Sequence, residues 1–215
     1  FMAYTIIAMQ EGSSFTELKH AKNSGHWESL PFKGLLANIS PSVFDTRFRD
    51  NLPEEISGKE FIEKYKLSLD NVTRINPGNI YMLRACALHP VEENYRIHLF
   101  SNLLKNFSAH KDKQETLKLL GELMYQSHAG YSAIGLGNKN TDEIVDRVFE
   151  AGPANKVYGA RVTGGGSGGT VAILCFGKEG KQTARKIFEE YRKDHGIKSF
   201  FFSGSTYGAK ILNEE

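Results

Sequence analysis

The sequence predicts an α+β domain, with helices packed on a mostly antiparallel sheet. Apolar residues recur at helical spacing in several separate stretches, many of them closed by glycine or proline. Two β-rich runs, Val157–Thr163 and Thr170–Phe176, flank one glycine loop in the pattern of an antiparallel hairpin. The order of helices, hairpin, helix and strand lacks the βαβ alternation that a parallel sheet requires.

The 215 residues suffice for one large domain or two small ones. Phe1–Met9 reads as a helix already under way, without an N-cap and ending at Gly12. That start leads us to expect a piece of a longer polypeptide. Residues 13–39 are broken by Gly25, Pro31 and Gly34 and give no clear element; Trp27 among them reads as a core anchor. Ser40-Pro41 opens a short helix with Val43, Phe44 and Phe48 turned inward. Ser57-Gly58-Lys59-Glu60 is a capping box before Phe61, Ile62 and Tyr65. Residues 70–89 read as extended around the turn Asn76-Pro77-Gly78-Asn79.

His89-Pro90 predicts the start of the next helix. Its apolar rows are Tyr95, Leu99 and Leu103, and beside them Phe100, Leu104 and Phe107. A helix from about Lys113 to His128 carries Leu117, Leu120 and Met124 on one face. Gly121 inside it costs about 1 kcal/mol against alanine, which marks close packing. Residues 129–139 read as a glycine-rich loop, and Asn140 as the cap of a helix that buries Ile144, Val145, Val148 and Phe149. Gly152-Pro153 stops that helix. The last helix runs Lys181–His195 with Ala184, Ile187, Phe188 and Tyr191 inward; Gly196 ends it, and Ile197–Phe202 reads as a buried strand.

Composition narrows the partners. Twenty-seven basic and 25 acidic residues leave a net charge of +2 without a dense basic run, so nothing points to nucleic acid. No apolar run reaches membrane-spanning length, and the first ten residues lack a signal-peptide pattern. Cys86 and Cys175 lie far apart in apolar surroundings and read as reduced core residues, which favours a cytoplasmic setting.

The glycine loop holds the chemistry. Gly164, Gly165, Gly166, Gly168 and Gly169 are interrupted only by Ser167. Each glycine costs about 0.5–1 kcal/mol of backbone entropy relative to alanine, so a plain turn does not account for five. Two readings are open: a cradle of bare N–H groups for a phosphate, or a wide loop that lets two elements approach. The spacing formally satisfies G-x-G-x-x-G, but a strand follows where the dinucleotide fingerprint needs a helix. A Gly-Lys-Ser/Thr ending and the partner motifs of protein kinases are missing.

Other chemistry is sparse. None of the seven histidines falls at metal spacing, and there is no C-x-x-C. His128, at a helix end before a glycine loop, reads as a capping group ahead of a catalytic one. Asp142, Glu143 and Asp146 read as an acidic first turn matched to the helix dipole.

Leu119-Leu120-Gly121-Glu122-Leu123-Met124-Tyr125-Gln126-Ser127-His128, followed by Gly159-Ala160-Arg161-Val162-Thr163-Gly164-Gly165-Gly166-Ser167-Gly168-Gly169, resembles the GHMP superfamily of small-molecule kinases. The likeness is to its sugar kinases, the galactokinases and above all the L-arabinokinases. Further support comes from LPEEISGKEF at Leu52, RACALHPVEENYR at Arg84, GLGNKNTDEIV at Gly135 and GSTYGAK at Gly204. Ala129-Gly130-Tyr131 after the Ser-His pair fits the arabinokinases better than the galactokinases.

The resemblance extends over residues 1–215 and matches only the C-terminal half of such an enzyme, residues 1–12 being the end of a helix that begins upstream. It implies an ATP-dependent sugar 1-kinase acting with magnesium. Thr163, Gly164, Gly165, Gly166, Ser167 and Gly168 would support the ATP-phosphate loop. The main phosphate loop, the magnesium-binding serine and the catalytic aspartate would lie in the N-terminal half, which would be a partner alongside sugar and ATP. No catalytic or metal-binding residue is expected in this chain, and alone it is expected to be inactive. A silent sugar- or nucleotide-binding module on the same fold is the alternative. An N-terminal half docking as a separate chain would need an exposed apolar face on Phe1–Met9.

Overall fold

Helix α1 (Met2–Gln10) is apolar on every side, and a helix of that kind must be buried all round. In the computed structural model, which describes residues 1–204, Met2 through Ala8 are all buried. Met2, Ala3, Ile6 and Ile7 pack with Phe44, Phe48, Phe61 and Val91, while Tyr4 and Ala8 face Leu18, Ala21 and Leu30. The helix therefore completes this chain's own core, and of Phe1–Met9, Phe1 is the large apolar residue left exposed.

Helix α2 (Phe15–Ser24) forms where no element is expected from sequence. Ser14 Oγ accepts the Glu17 N–H at 3.3 Å and Glu17 Oε2 accepts the Ser14 N–H at 2.8 Å, a complete capping box. Only Leu18 and Ala21 are buried, so its apolar stripe is too short to be seen as a period. Trp27 lies against the same cluster, partly buried. Helix α3 (Pro41–Val43), capped by Ser40, runs into a π turn over Phe44–Phe48 that buries both phenylalanines. Strand β1 (Glu55–Ser57) leads into α4 (Gly58–Tyr65), where Ser57 Oγ accepts the Glu60 N–H but Glu60 does not reciprocate. Phe61 is fully buried and Ile62 is exposed. Strand β2 (Ile80–Met82) pairs antiparallel with β1.

Helix α5 (Leu83–Lys105) begins six residues before the predicted start and carries Pro90 inside it. Its core stripe is Leu83, Ala87 and Val91, and their burial carries the helix through the one ladder bond the proline removes. The predicted rows largely face outward: Tyr95, Leu99 and Leu104 are exposed. Cys86 sits off the buried stripe and is also exposed, so it is not a core residue; Cys175 is partly buried and packs against the cluster of Val145, Val148 and Val157.

Helix α6 (Lys113–Ala133) buries Leu117, Leu120 and Met124 as expected, but it continues past His128 and shortens the predicted loop to residues 134–138. Helix α7 (Lys139–Ala151) is capped by Asn138, whose side chain accepts the Asn140 N–H at 3.0 Å, so Asn140 lies inside the first turn. Val145 and Val148 are buried; Phe149 is exposed and lies edge-on to Tyr125. Gly152 ends the helix before Pro153.

Strands β3 (Val157–Thr163) and β4 (Thr170–Cys175) form an antiparallel ribbon with Arg161 opposite Ala172 and Thr163 opposite Thr170. Helix α8 (Gly177–His195) starts four residues earlier than expected and joins Val145, Val148, Val157 and Ala160 through Ala184 and Ile187. The predicted strand Ile197–Phe202 does not form. Phe200 and Phe202 are exposed, and only Phe201 packs inward, beside Phe188. Among the described residues the chain is thus α+β with two separate two-stranded antiparallel ribbons, a smaller sheet than the sequence suggests. The final GSTYGAK stretch lies almost wholly outside the described residues. Among them, no helix is long and apolar enough to cross a membrane.

Two contacts set the geometry of the hairpin. A Cβ on Gly121 would lie 1.8 Å from the Tyr158 carbonyl oxygen, and one on Gly159 would lie 2.4 Å from the Gly121 Cα. Helix α6 therefore touches β3 backbone to backbone. Beside it, Glu93 of α5 accepts Ser127 Oγ at 2.6 Å, Arg161 Nη1 at 2.8 Å and Arg96 Nε at 3.0 Å. Burial opposes its charge, but the hydrogen bonds from Ser127 and Arg96 and the charges of Arg161 and Arg96 outweigh burial and hold the carboxyl below its usual range.

Gly121→Ala should lower stability by about 2 kcal/mol, seen as a melting temperature reduced by roughly 4–8 °C in thermal circular dichroism. A raised melting temperature, the ordinary result of Gly→Ala in an unconstrained helix, would contradict the close approach. Glu93→Gln should cost about 2 kcal/mol at neutral pH. Because the folded carboxyl titrates below its unfolded value, the stabilisation is present above the unfolded value and is lost as pH falls through the folded one. The gap between parent and variant urea midpoints should therefore narrow from pH 7 to pH 3; a constant gap would show that the charge is not what matters.

Candidate functional site

The glycine loop closes the β3–β4 ribbon. Its mouth is tied by Thr163, whose Oγ1 donates to the Thr170 carbonyl at 3.2 Å. Gly164, Gly166, Gly168 and Gly169 have φ of 76°, 82°, 116° and 98°, and Ser167 has 59°. Four of these are conformations that side chains rarely adopt, which accounts for most of the glycines the sequence places here. Gly165 is different: its φ is ordinary and a Cβ on it would meet nothing within 4 Å.

The loop rests on the segment between α6 and α7. A Cβ on Gly166 would lie 2.8 Å from Leu136 and 3.0 Å from the Tyr131 ring, so the backbone sits directly on those side chains. The Ser167 N–H donates to the Leu136 carbonyl at 2.6 Å, and Tyr131 Oη donates to the Gly164 carbonyl at 3.1 Å. Asn138, the α7 cap, lies beside Gly168. Among the described residues, the N–H groups of Gly164, Gly165, Gly166, Gly168 and Gly169 meet no hydrogen-bond acceptor. Five open donors on a supported, exposed loop can receive an anion. The Ser167 amide, expected to share that role, is already engaged.

His128 is not at a helix end. It lies 8% exposed within α6, its Nδ1 accepts the Val162 N–H at 3.3 Å, and its Nε2 lies 3.1 Å from Asp142 Oδ1. Accepting the Val162 N–H leaves Nδ1 without a proton, and the imidazole lies between α6, β3 and α7 just before the loop. Asp142 Oδ1 approaches Nε2 but makes no hydrogen bond to it among the described residues. Glu143 instead faces His195 and Arg147, and those hydrogen bonds hold its carboxyl below the usual carboxylate range.

Tyr131 is what the sequence reading missed. Its ring packs edge-on against His89 with centroids 5.1 Å apart, and the Arg161 guanidinium lies 5.6 Å from its centre. Burial, foremost, lowers the His89 pKa and keeps that imidazole neutral. The one signal in the sequence was the aromatic residue inside AGYSAIGLGNK, which a loop assignment left without a direction. A groove of about 430 Å3 between α5, α6 and β4 also borders Arg161, but Phe100, Leu104, Leu123 and Met124 make its walls apolar.

Comparison with known proteins matches this segment. The family model for the GHMP kinase C terminal covers residues 103–198, from the end of α5 through α8. An L-arabinokinase of Arabidopsis thaliana is 34% identical over 97% of this chain and 22% of its own length. The galactokinases of Thermotoga maritima and Thermosipho africanus are 35% and 33% identical, over 84% and 77% of this chain and 47% and 44% of their own. The chain thus spans about a fifth to a half of the length of these relatives. With the family model seated on α6, α7 and the β3–β4 ribbon, and with relatives about one-third identical along most of its length, the chain carries a GHMP kinase C-terminal domain.

Proposed function

We propose that the chain supplies the glycine loop that contacts the ATP phosphates in an ATP-dependent sugar 1-kinase of the cytoplasm. The sugar would be L-arabinose or a galactose-like relative. In that reaction the anomeric hydroxyl oxygen bonds to the γ-phosphorus, the bond to the ADP oxygen breaks, and the hydroxyl proton leaves. Phosphoryl transfer needs positioning and charge stabilisation more than covalent help from the protein, and open backbone donors suit both. The observation that carries the reading is the row of five glycine N–H groups without acceptors, held on Leu136 and Tyr131. The L-arabinokinase and galactokinase relatives supply the substrate class.

Among the described residues no group of three or more His, Cys, Asp or Glu could hold a metal ion. They do not fit magnesium, and no step assigned to this chain passes through it. The catalytic carboxylate is likewise assigned to the remainder of the enzyme, which packs with this domain as its N-terminal half.

Gly165 separates a phosphate role from a packing role, because its Cβ space is empty and its φ is ordinary. Gly165→Val should shift the melting temperature by less than about 2 °C, an effect below 1 kcal/mol. It should lower the sugar-kinase turnover of the complete enzyme by at least about tenfold, because a branched side chain there obstructs an anion's approach to the N–H groups; outright loss of one transition-state donor would cost about 10²–10³-fold. Parallel losses of turnover and stability would favour a purely structural loop.

A further inference from the structure

We propose that Tyr131 is the positioning residue of the glycine loop, fixing where its open N–H groups point. The inference rests on the reading of that loop as the phosphate contact. Tyr131 meets the loop twice: its hydroxyl donates to the Gly164 carbonyl at 3.1 Å, and its ring lies under Gly166, where a Cβ would come within 3.0 Å of Cδ1. One contact fixes the height of the loop, and two, separated by a residue, fix its tilt as well. Gly165 lies between them, with its amide free.

The ring is itself held. His89 meets it edge-on at 88°, and Arg161 approaches its centre at 5.6 Å. Arg161 cannot drift, because its Nε donates to the Val162 carbonyl at 3.0 Å and its Nη1 to Glu93 at 2.8 Å. The Tyr131 carbonyl also accepts the Leu136 N–H at 2.9 Å, and the Leu136 carbonyl accepts the Ser167 N–H. Tyr131 therefore connects a rigid helix–strand junction to the one segment whose donors are free. A phenylalanine would keep the prop and lose the anchor; an alanine would lose both.

The test uses 15N-glycine labelling of the 215-residue chain. The {1H}–15N NOEs of Gly164, Gly165 and Gly166 are read in the parent, Tyr131→Phe and Tyr131→Ala proteins, with Gly121 as an internal control. The expected result is a stepwise fall at the loop glycines, parent to Phe to Ala, with Gly121 unchanged. Loop values in Tyr131→Ala equal to the parent's overturn the proposal, and so does a loss that includes Gly121, which would mean a general packing role. In the complete enzyme, Tyr131→Phe should raise the KM for ATP about fivefold, the worth of one neutral hydrogen bond, and leave the KM for sugar unchanged. Loosened glycines with an unchanged KM for ATP would leave Tyr131 as the strut and sink the phosphate reading instead.

Discussion

The backbone contact between Gly121 and Tyr158–Gly159 sets the rest of the hairpin's geometry. Helix α6 and strand β3 leave that point in the same direction, since His128 meets Val162 and Tyr131 meets Gly164 farther along. From Gly121, His128 is about 10 Å and Tyr131 about 15 Å along a helix rising 1.5 Å per residue. From Gly159, Val162 is about 10 Å and Gly164 about 17 Å along a strand rising 3.3 Å per residue. The two lengths keep pace. One close contact at the base therefore brings an imidazole and then a phenol into register with the end of the ribbon. Any side chain at the base would push helix and strand apart and lose both.

Charge reinforces the same junction. Arg161 projects from β3 toward α5, where Glu93 receives it together with Arg96 and Ser127. Removing a buried carboxylate from water is costly, and three donors are what make the charge tolerable. The result is directional. Past Val91, helix α5 meets the ribbon through the Glu93–Arg161 pair, while its Phe100 and Leu104 line the apolar groove shared with Leu123 and Met124 of α6. Tyr95 and Leu99 stay exposed on a helix whose sequence looks amphipathic.

What was legible in the sequence was what depends on one residue at a time. Gly121 inside an otherwise good helix announced a close approach, and the cluster from Gly164 to Gly169 announced an unusual backbone. Capping chemistry placed α3 and α4 correctly. Helix α2 was hidden because two buried residues make no period, although Ser14 and Glu17 carried its capping box. Pro90 was read as a helix start because local rules cannot weigh the burial of Leu83 and Ala87 one turn or more before it. Ile197–Phe202 has the composition of a core strand, but composition does not supply a neighbouring strand, and its alternate phenylalanines face solvent. Tyr131 and the His128–Asp142 contact depend on three elements meeting, which no spacing rule encodes.

The loop is divided in its own physics. Thr163, Gly164 and Gly166 through Ser167 are bound to the domain by the ribbon mouth, Tyr131 and Leu136. Gly165, Gly168 and Gly169 are not hydrogen-bonded to it and keep their N–H groups open. A loop free throughout would have to be ordered by the anion it binds, and that ordering would cost about 1–2 kcal/mol per residue. A loop bonded throughout would have no donors left. Holding alternate points and releasing those between lets the protein meet the ordering cost during folding, so that open donors face an arriving anion already in place. On this argument the number of glycines follows from two demands at once. Positive φ calls for glycine at 164, 166, 168 and 169, pinned or not, and Gly165 is there to keep side chains away from the donors.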